Sequence, residues 1–459
     1  MADRLPQTSP FDAGSPATST AVPTLHAGVA TRDITPGGAA VMSGFAMRVG
    51  PSVGVHDPLS VRALVVEGTA LVTVDVVALH EELCARVRGA AAAWVDHVVV
   101  HATHTHSGPG SCPGRLGGVV DPAWLDHVEQ ACIAAIAEAA AAREPVRITA
   151  GYGGDPQVAR NRRRPGAAVD PALPVVRLER GDGRPLALLV SYACHPVVLS
   201  AENRLLSADY PGVVREQLEA ATGATVLFST GCAGDVNTGH PVGADSEEAE
   251  TDSRTFEECA RVGRRVAEAA LRATLRPAEP RLGANTATRR LQIEPPTAAE
   301  LERDRASWAE LAADAPPGRR ALYDLWIRWS ESVRAGEPED WDARVSVLRW
   351  GPAVVVALPG EPFSLASREI RRRIEASTEA QAVLVLGYSD GCPGYLPTEA
   401  EYPLGGYEVA EAHRYYGMPG PFSPGSLETL VDAAVSLAQK IPVASPPGGD
   451  GSRAAVRAP

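Results

Sequence analysis

His97-Val-Val-Val-His-Ala-Thr-His-Thr-His-Ser-Gly-Pro-Gly110 starts as a short apolar run and ends as a polar loop with two glycines. The apolar part reads as a strand. A strand that gives way to such a loop is how an α/β enzyme presents functional side chains at the carboxyl edge of its sheet. His101, His104 and His106 offer several imidazole nitrogens there, and imidazole is the commonest side-chain metal ligand. A solvated loop that happens to hold histidines is the competing reading, and this stretch alone does not separate the two.

Four later stretches do. The β-type run 186–193 leads into Cys194-His-Pro196, and the run 224–229 into Thr230-Gly-Cys-Ala-Gly-Asp-Val-Asn237. The run 353–358 leads into Pro359-Gly-Glu-Pro362, and the run 382–387 into Gly387-Tyr-Ser-Asp-Gly-Cys-Pro-Gly-Tyr395. If these strands run largely parallel, all five clusters meet on one edge of the sheet, where open α/β folds bind ligands. Two imidazoles and a carboxylate suit a divalent metal, zinc above all, with one position open for water. A tyrosine ligand is less common. Its phenol has an ordinary pKa near 10, so binding as phenolate needs the charge of the metal.

The remaining pattern alternates strands and helices. Strands are expected at 26–34, 61–66, 70–77, 145–150, 174–179 and 345–350, with helices at 81–95, 211–221, 247–275, 363–376 and 424–440. Asp121-Pro-Ala-Trp opens a further alanine-rich helix to residue 142, with Asp as cap and Pro at the first position. Residues 298–335 read as two helices broken at Pro316-Pro-Gly318 and carry Trp308, Trp326 and Trp329. Packing is the favoured reading of these tryptophans, a lid over the site the alternative. The pattern predicts a layered α/β/α domain with a mixed, largely parallel central sheet and the metal site at the carboxyl edge of its strands. Its span is 25–442, between unstructured segments 1–24 and 443–459 rich in Ser, Thr, Pro, Ala and Gly.

The chain has 459 residues, 45% hydrophobic and 22% charged, with a formal net charge of −13. An acidic balance argues against a nucleic-acid partner. Seven scattered cysteines contain no Cys-x-x-Cys pair, which points to a reducing compartment. With no apolar run of transmembrane length and no secretory leader, a cytoplasmic location is expected.

The motifs together resemble the neutral/alkaline non-lysosomal ceramidase family. The most specific is His104-Thr-His-Ser-Gly-Pro109, supported by Tyr192-Ala-Cys-His195, Gly231-Cys-Ala-Gly-Asp-Val236, Gly360-Glu361 and Tyr395-Leu-Pro-Thr-Glu-Ala-Glu-Tyr-Pro-Leu-Gly-Gly-Tyr-Glu408. Asp33-Ile-Thr-Pro36 and His56-Asp-Pro58 extend the likeness toward the start, so it covers about 25–442. The resemblance implies a zinc amidohydrolase that cleaves N-acyl amides through metal-bound hydroxide. It implies His104, His195, Glu361 and Tyr395 as Zn2+ ligands and His106 as a group lining the site. Arg162 and Tyr407 are implied as donors to the carbonyl oxygen as it becomes an oxyanion. Asp235, Asn237 and Thr238 complete the implied site, Asn237 beside the reacting groups and the other two toward substrate. Tyr402 competes with Tyr395 as ligand, and a solvated charge run competes with the role of Arg162. His101 is expected to shape its loop, and His240 has no role.

Two departures matter. Asn237 stands where the family usually has a serine, so a serine-nucleophile mechanism does not survive, whereas an amide donor does. The family's usual β-sandwich after the catalytic domain is not expected, because the predicted domain runs to about 442 and only a short tail follows. The expected substrate is a ceramide-like or other small-molecule or lipid N-acyl amide. A smaller soluble amide or ester is the alternative, and a non-catalytic binding protein on the same scaffold the third reading.

Overall fold

In the computed structural model, which describes residues 25–116, 119–239 and 253–441, His97–Ala102 is a strand. Val98 and Val100 belong to a core shared with helices, Val99 to a core between two sheets. Burial on both faces explains why the run is apolar throughout rather than alternating. The segments 1–24 and 443–459, and His240, lie outside the described residues.

The first sheet follows the order Thr225–Thr230, Pro185–Tyr192, Leu173–Arg180, Glu144–Gly153, Leu25–Asp33, Ser60–Val66, Thr69–Val74, His97–Ala102, with Thr274–Pro277 beside Glu144–Gly153. Its two end pairs are parallel; the pairings between them are antiparallel. The second sheet is Leu282–Ile293, Glu339–Trp350, Ala353–Ala357, Ala382–Leu386, and only its last pair is parallel. The layered, mixed α/β class is as expected. Two details of the expectation need correction: most pairings in the large sheets are antiparallel, and the described residues form two large sheets rather than one. Strand 282–293 is the reason. Its sequence LGANTATRRLQI has no apolar alternation and little full burial, so nothing in it announces a strand.

Leu64, Leu71, Val99 and Leu178 of the first sheet pack face to face with Leu348, Trp350, Val355 and Leu384 of the second. Helices cover the outer faces. Glu81–Ala91 (α1) and Pro122–Ala141 (α2) pack on Val72, Val74 and Val100. Asp121 caps α2, its Oδ1 accepting from the Ala123 amide at 2.9 Å. Tyr210–Thr222 (α3) and Phe256–Leu271 (α4) pack on Leu188, Val190, Val226 and Phe228. Of the helix expected over 247–275, residues 247–252 lie outside the described residues; α4 starts after its cap Thr255, and the expected end is overrun because Thr274–Pro277 is a strand. Ala298–Ala313 (α5) and Pro317–Ser332 (α6) form a hairpin with its own small core. Ser364–Ser377 (α7) and Ser426–Gln439 (α8) cover the second sheet.

Antiparallel pairing inside the first sheet does not scatter the five clusters. Neighbouring strands rotate by roughly 20–25° per step, so the two end pairs, formally opposed in sense, swing toward one another across the sheet. The carboxyl end of Thr225–Thr230 accordingly meets that of His97–Ala102. The Thr230 amide donates to His101 Nε2 at 3.0 Å, and the Thr230 hydroxyl to Thr103 O at 2.6 Å. The second sheet joins them there, through bridges from His101 to Ser389 and from Gly231 to Leu386. All five polar clusters thus converge, by twist and by sheet-on-sheet packing.

Candidate metal centre

His104 leaves its strand with φ +68°, a left-handed conformation that a β-carbon disfavours. Such strain persists only where the surroundings hold it. Its amide donates to Val76 O at 2.9 Å and its Nδ1 to Val77 O at 2.5 Å. A carbonyl can only accept, so Nδ1 carries the hydrogen and Nε2 of the neutral ring is a lone pair. His195 is built the same way: Nδ1 donates to Ala233 O at 2.6 Å, leaving Nε2 as an acceptor. Fixing a ring through its other nitrogen is how proteins orient metal-binding histidines.

Glu361 arrives from the second sheet. Its segment pairs in parallel with Tyr395–Leu396. Gly360 makes the approach possible: at φ +68° any β-carbon would lie 2.6 Å from Gly394 O. Glu361 Oε2 lies 3.4 Å from His104 Nε2 and 2.9 Å from His195 Nε2. Yet His195 Nε2 and Glu361 Oε2 are both buried with no hydrogen-bond partner. Leaving such atoms unpaired is costly, and a cation held between them removes the cost. His106 converges on the same point. The three imidazoles present nitrogens within 4.8 Å of one another, and His106 Nε2 is 3.2 Å from His104 Nε2. Gly44 admits the His106 ring, since a β-carbon there would lie 2.6 Å from it. This buried set of imidazoles and a carboxylate fits zinc and related divalent metals.

The charges around the cluster reinforce that fit. Burial alone would raise the Glu361 carboxyl, but His104 and His195 overcome it and hold it well below the usual carboxylate range. Burial, helped by Arg162, pushes His195 down to about 4. Burial, with His104 and His195, holds His106 well below an ordinary histidine. All three groups therefore stand in the protonation state that a metal requires.

Tyr395 and Arg162 lie beside this centre. Arg162 Nη2 donates to the Tyr395 hydroxyl at 2.9 Å, and Nε to Glu408 Oε1 at 2.9 Å. Burial opposes the charge on Arg162, but Tyr395, Glu408 and Glu361 keep the guanidinium firmly protonated. Burial raises the Tyr395 phenol well above its usual value, with Arg162 pulling the other way. The Tyr407 ring packs edge-on against Tyr395 at 5.7 Å. Tyr402 points elsewhere, its hydroxyl donating to Phe422 O at 2.8 Å.

The glycine-rich turn after Thr230 is tied into the fold through Asp235. Asp235 accepts from the Ser364 amide at 2.7 Å, the Ser364 hydroxyl at 3.2 Å and Asn161 Nδ2 at 2.9 Å. Its carboxylate is committed to joining the turn, the Arg162 segment and the start of α7. Asn237 is buried, pairs across to Arg160, and accepts from the Gly239 amide at 2.7 Å. Thr238 is half-buried, and its hydroxyl has no hydrogen-bond partner. His101 is a core histidine: its Nδ1 donates to Gly387 O at 2.9 Å, which joins the two sheets.

Two residues escaped the sequence reading. The Tyr388 ring stacks on His104 at 4.0 Å and 23°, with a buried hydroxyl that has no hydrogen-bond partner. Tyr388 stood inside a recognised polar cluster, so its position was visible although its role was not. The Tyr416 hydroxyl donates to Glu361 Oε1; no local pattern marks it.

Residues 25–233 match the family model of the neutral/alkaline non-lysosomal ceramidase N-terminal domain. Over that stretch the sequence is similar to this family. The matched stretch contains His104, His106, Arg162 and His195; Glu361 and the tyrosines lie beyond it. The fold is similar to that of neutral ceramidase from Pseudomonas aeruginosa, with TM-score 0.69 and 20% identity, over 91% of this chain and 74% of that one. It is also similar to a ceramidase complexed with C2, with TM-score 0.68 and 19% identity, over 94% and 78%. No curated protein matches the sequence. Among the described residues no helix is long and apolar enough to cross a membrane.

Proposed function

We propose that this protein is a zinc-dependent amidohydrolase that cleaves the N-acyl amide bond of a ceramide-like substrate. The match of residues 25–233 to the ceramidase family model and the likeness of the fold to neutral ceramidase support amide hydrolysis. One observation carries the metal: two buried atoms without partners, His195 Nε2 and Glu361 Oε2, face a common point beside His104. His104, His195, Glu361 and Tyr395 would hold zinc. Bound there, zinc supplies Lewis acidity, activating water and polarising the acyl carbonyl.

The chain's own groups do the rest. Arg162, kept charged and aimed by Glu408, donates to the carbonyl oxygen as it gains charge, and the Tyr407 hydroxyl is the second donor. One such donor contributes about 2.7–4 kcal/mol to lowering the barrier. Neutral His106 takes a proton from the attacking water and returns it to the departing amine nitrogen. Asn237 sits beside the carbonyl of Val236, which lies 3.2 Å from His195 Nδ1, and helps hold that ring. Zinc analysis of the purified protein, with His104→Ala and Glu361→Ala as controls, tests the proposal beside an N-acyl amide hydrolysis assay. A wild type as metal-free as the variants would end it. Turnover that disappears in Glu361→Ala rules out a non-catalytic binding protein.

A smaller soluble amide or ester is the second reading. A cavity of about 300 Å³ beside Tyr407 is lined by Arg162, Arg163, Arg164, Glu401 and Glu408. A charged lining favours a polar substrate end over an acyl chain. Comparing long-chain with short-chain N-acyl substrates separates the two readings, and a strong long-chain preference rules out the second.

A further inference from the structure

The α5–α6 hairpin stands apart from the main core yet touches the metal centre's surroundings at two places. Its core of Leu301, Trp308, Leu322, Trp326 and Trp329 packs against Ala46, next to the Phe45 ring that meets His106 edge-on at 4.9 Å. The same core packs against Tyr415, next to Tyr416. At the second contact lies an uncommon arrangement. The Arg414 guanidinium carbon sits 4.8 Å from the Trp308 ring centre, 4.9 Å from Trp326 and 5.7 Å from Trp329. Arg414 Nε has no hydrogen-bond partner. Trp329 Nε1 also donates to Met418 O at 2.8 Å. Arg414 and Met418 bracket Tyr416, so a cage of three indoles grips the turn from both sides. Cation–π attraction strengthens as the cation loses water, so three faces around one half-buried guanidinium make a directional anchor.

We infer that Arg414 is a positioning residue for the candidate metal centre, acting through Tyr416. This inference rests on the metal reading above. Tyr416, two residues on, engages Glu361 Oε1 and so turns Oε2 toward His104 and His195. The ring reaches that place because Gly394 has no side chain: a β-carbon there would lie 3.3 Å from it. The hairpin thus sets the rotation of the carboxylate from outside the site. Hydrogen-bond partners of metal ligands typically change metal affinity 10–100-fold.

The test is zinc affinity, measured by chelator competition on the full chain. The variants are Arg414→Met, Arg414→Lys, Tyr416→Phe and the pair Arg414→Met with Tyr416→Phe. Arg414→Met should weaken zinc binding about tenfold, the low end for such partners. Arg414→Lys, which keeps a cation in the cage, should recover most of the loss. The double variant should be no weaker than the weaker single variant, because both act on one carboxylate. Circular dichroism and melting curves identify any variant that fails to fold, and Trp308→Phe, which thins the cage without removing the cation, then replaces Arg414→Met. A folded Arg414→Met with wild-type zinc affinity overturns the inference alone. So do single effects that multiply in the double variant, as independent damage would. A wild type that takes up no zinc overturns the metal reading and this inference together.

Discussion

His195 Nε2 and Glu361 Oε2 stand 2.9 Å apart in the protein interior, and neither is hydrogen-bonded to the other or to anything else. One comes from the turn after a strand of the first sheet, the other from a short segment that follows the strand Ala353–Ala357 of the second. Replacing Glu361 with Gln keeps the shape and removes the charge. Glu361→Gln should therefore lower zinc affinity by more than about 100-fold, beyond the range typical of supporting partners. Metal titration decides it, and an affinity within tenfold of wild type would contradict the assignment.

Arg162 is predicted to act on turnover rather than on metal. Arg162→Met should reduce kcat about 10²–10³-fold while leaving zinc content at the wild-type level. Glu408 keeps Arg163 at 2.5 Å as a partner, so the local fold survives. Steady-state kinetics on an N-acyl amide checks this; an unchanged kcat would remove Arg162 from the reaction.

Asp75 and Arg215 form a buried two-pronged pair, both contacts at 2.7 Å. Asp75 also accepts from the Ser60 amide at 2.8 Å and from the Thr103 hydroxyl at 3.1 Å. Arg215→Met leaves a buried carboxylate without its cation and should cost about 3–5 kcal/mol of stability. Because Val77 O orients His104 two residues further on, zinc affinity should fall as well. Denaturant unfolding gives the first number, and a loss below about 1 kcal/mol would show that the pair matters little.

Acid should destabilise the protein, starting from near-neutral pH. Burial holds His101 down to about 3 and His413 likewise to about 3, Arg414 adding to the effect on His413. Unfolded, each takes a proton near pH 6.5; folded, neither does until far lower. Their contribution is complete above pH 6.5 and is lost as pH falls toward 3. The slope is up to about 1.4 kcal/mol per pH unit for each ring. His101→Gln should flatten the dependence by one proton. Urea unfolding between pH 7 and pH 4 tests it, and parallel curves for the two proteins would refute the assignment.

Much of the centre was legible because it follows strands. His104, His195 and Glu361 each stand just beyond an apolar run, and chemistry at strand ends is readable without knowing strand direction. Sheet count was not, because strand 282–293 carries Asn, Thr and Arg where a buried strand would alternate. Asp235 was placed toward substrate on the family resemblance alone; the Ser364 amide that it accepts from lies 129 residues away, beyond the reach of any local pattern. Tyr416 was invisible for the same reason, since its partner is 55 residues distant. Contacts of that kind depend on how the turn is aimed, and the hairpin of α5 and α6 does the aiming.

The donors of the centre are divided between the two sheets, which touch through a shared apolar face. Any slippage of one sheet over the other by even a single residue pulls the carboxylate out of reach of the imidazoles. If the centre takes up a cation as proposed, its uptake is a gauge of tertiary completion: a folding intermediate with one sheet formed carries only part of the ligand set and should bind the ion more weakly. Saturating ion in turn clamps the halves, at 100-fold over its dissociation constant by about 2.7 kcal/mol. Chelation should then loosen the seam between the sheets before it melts either one.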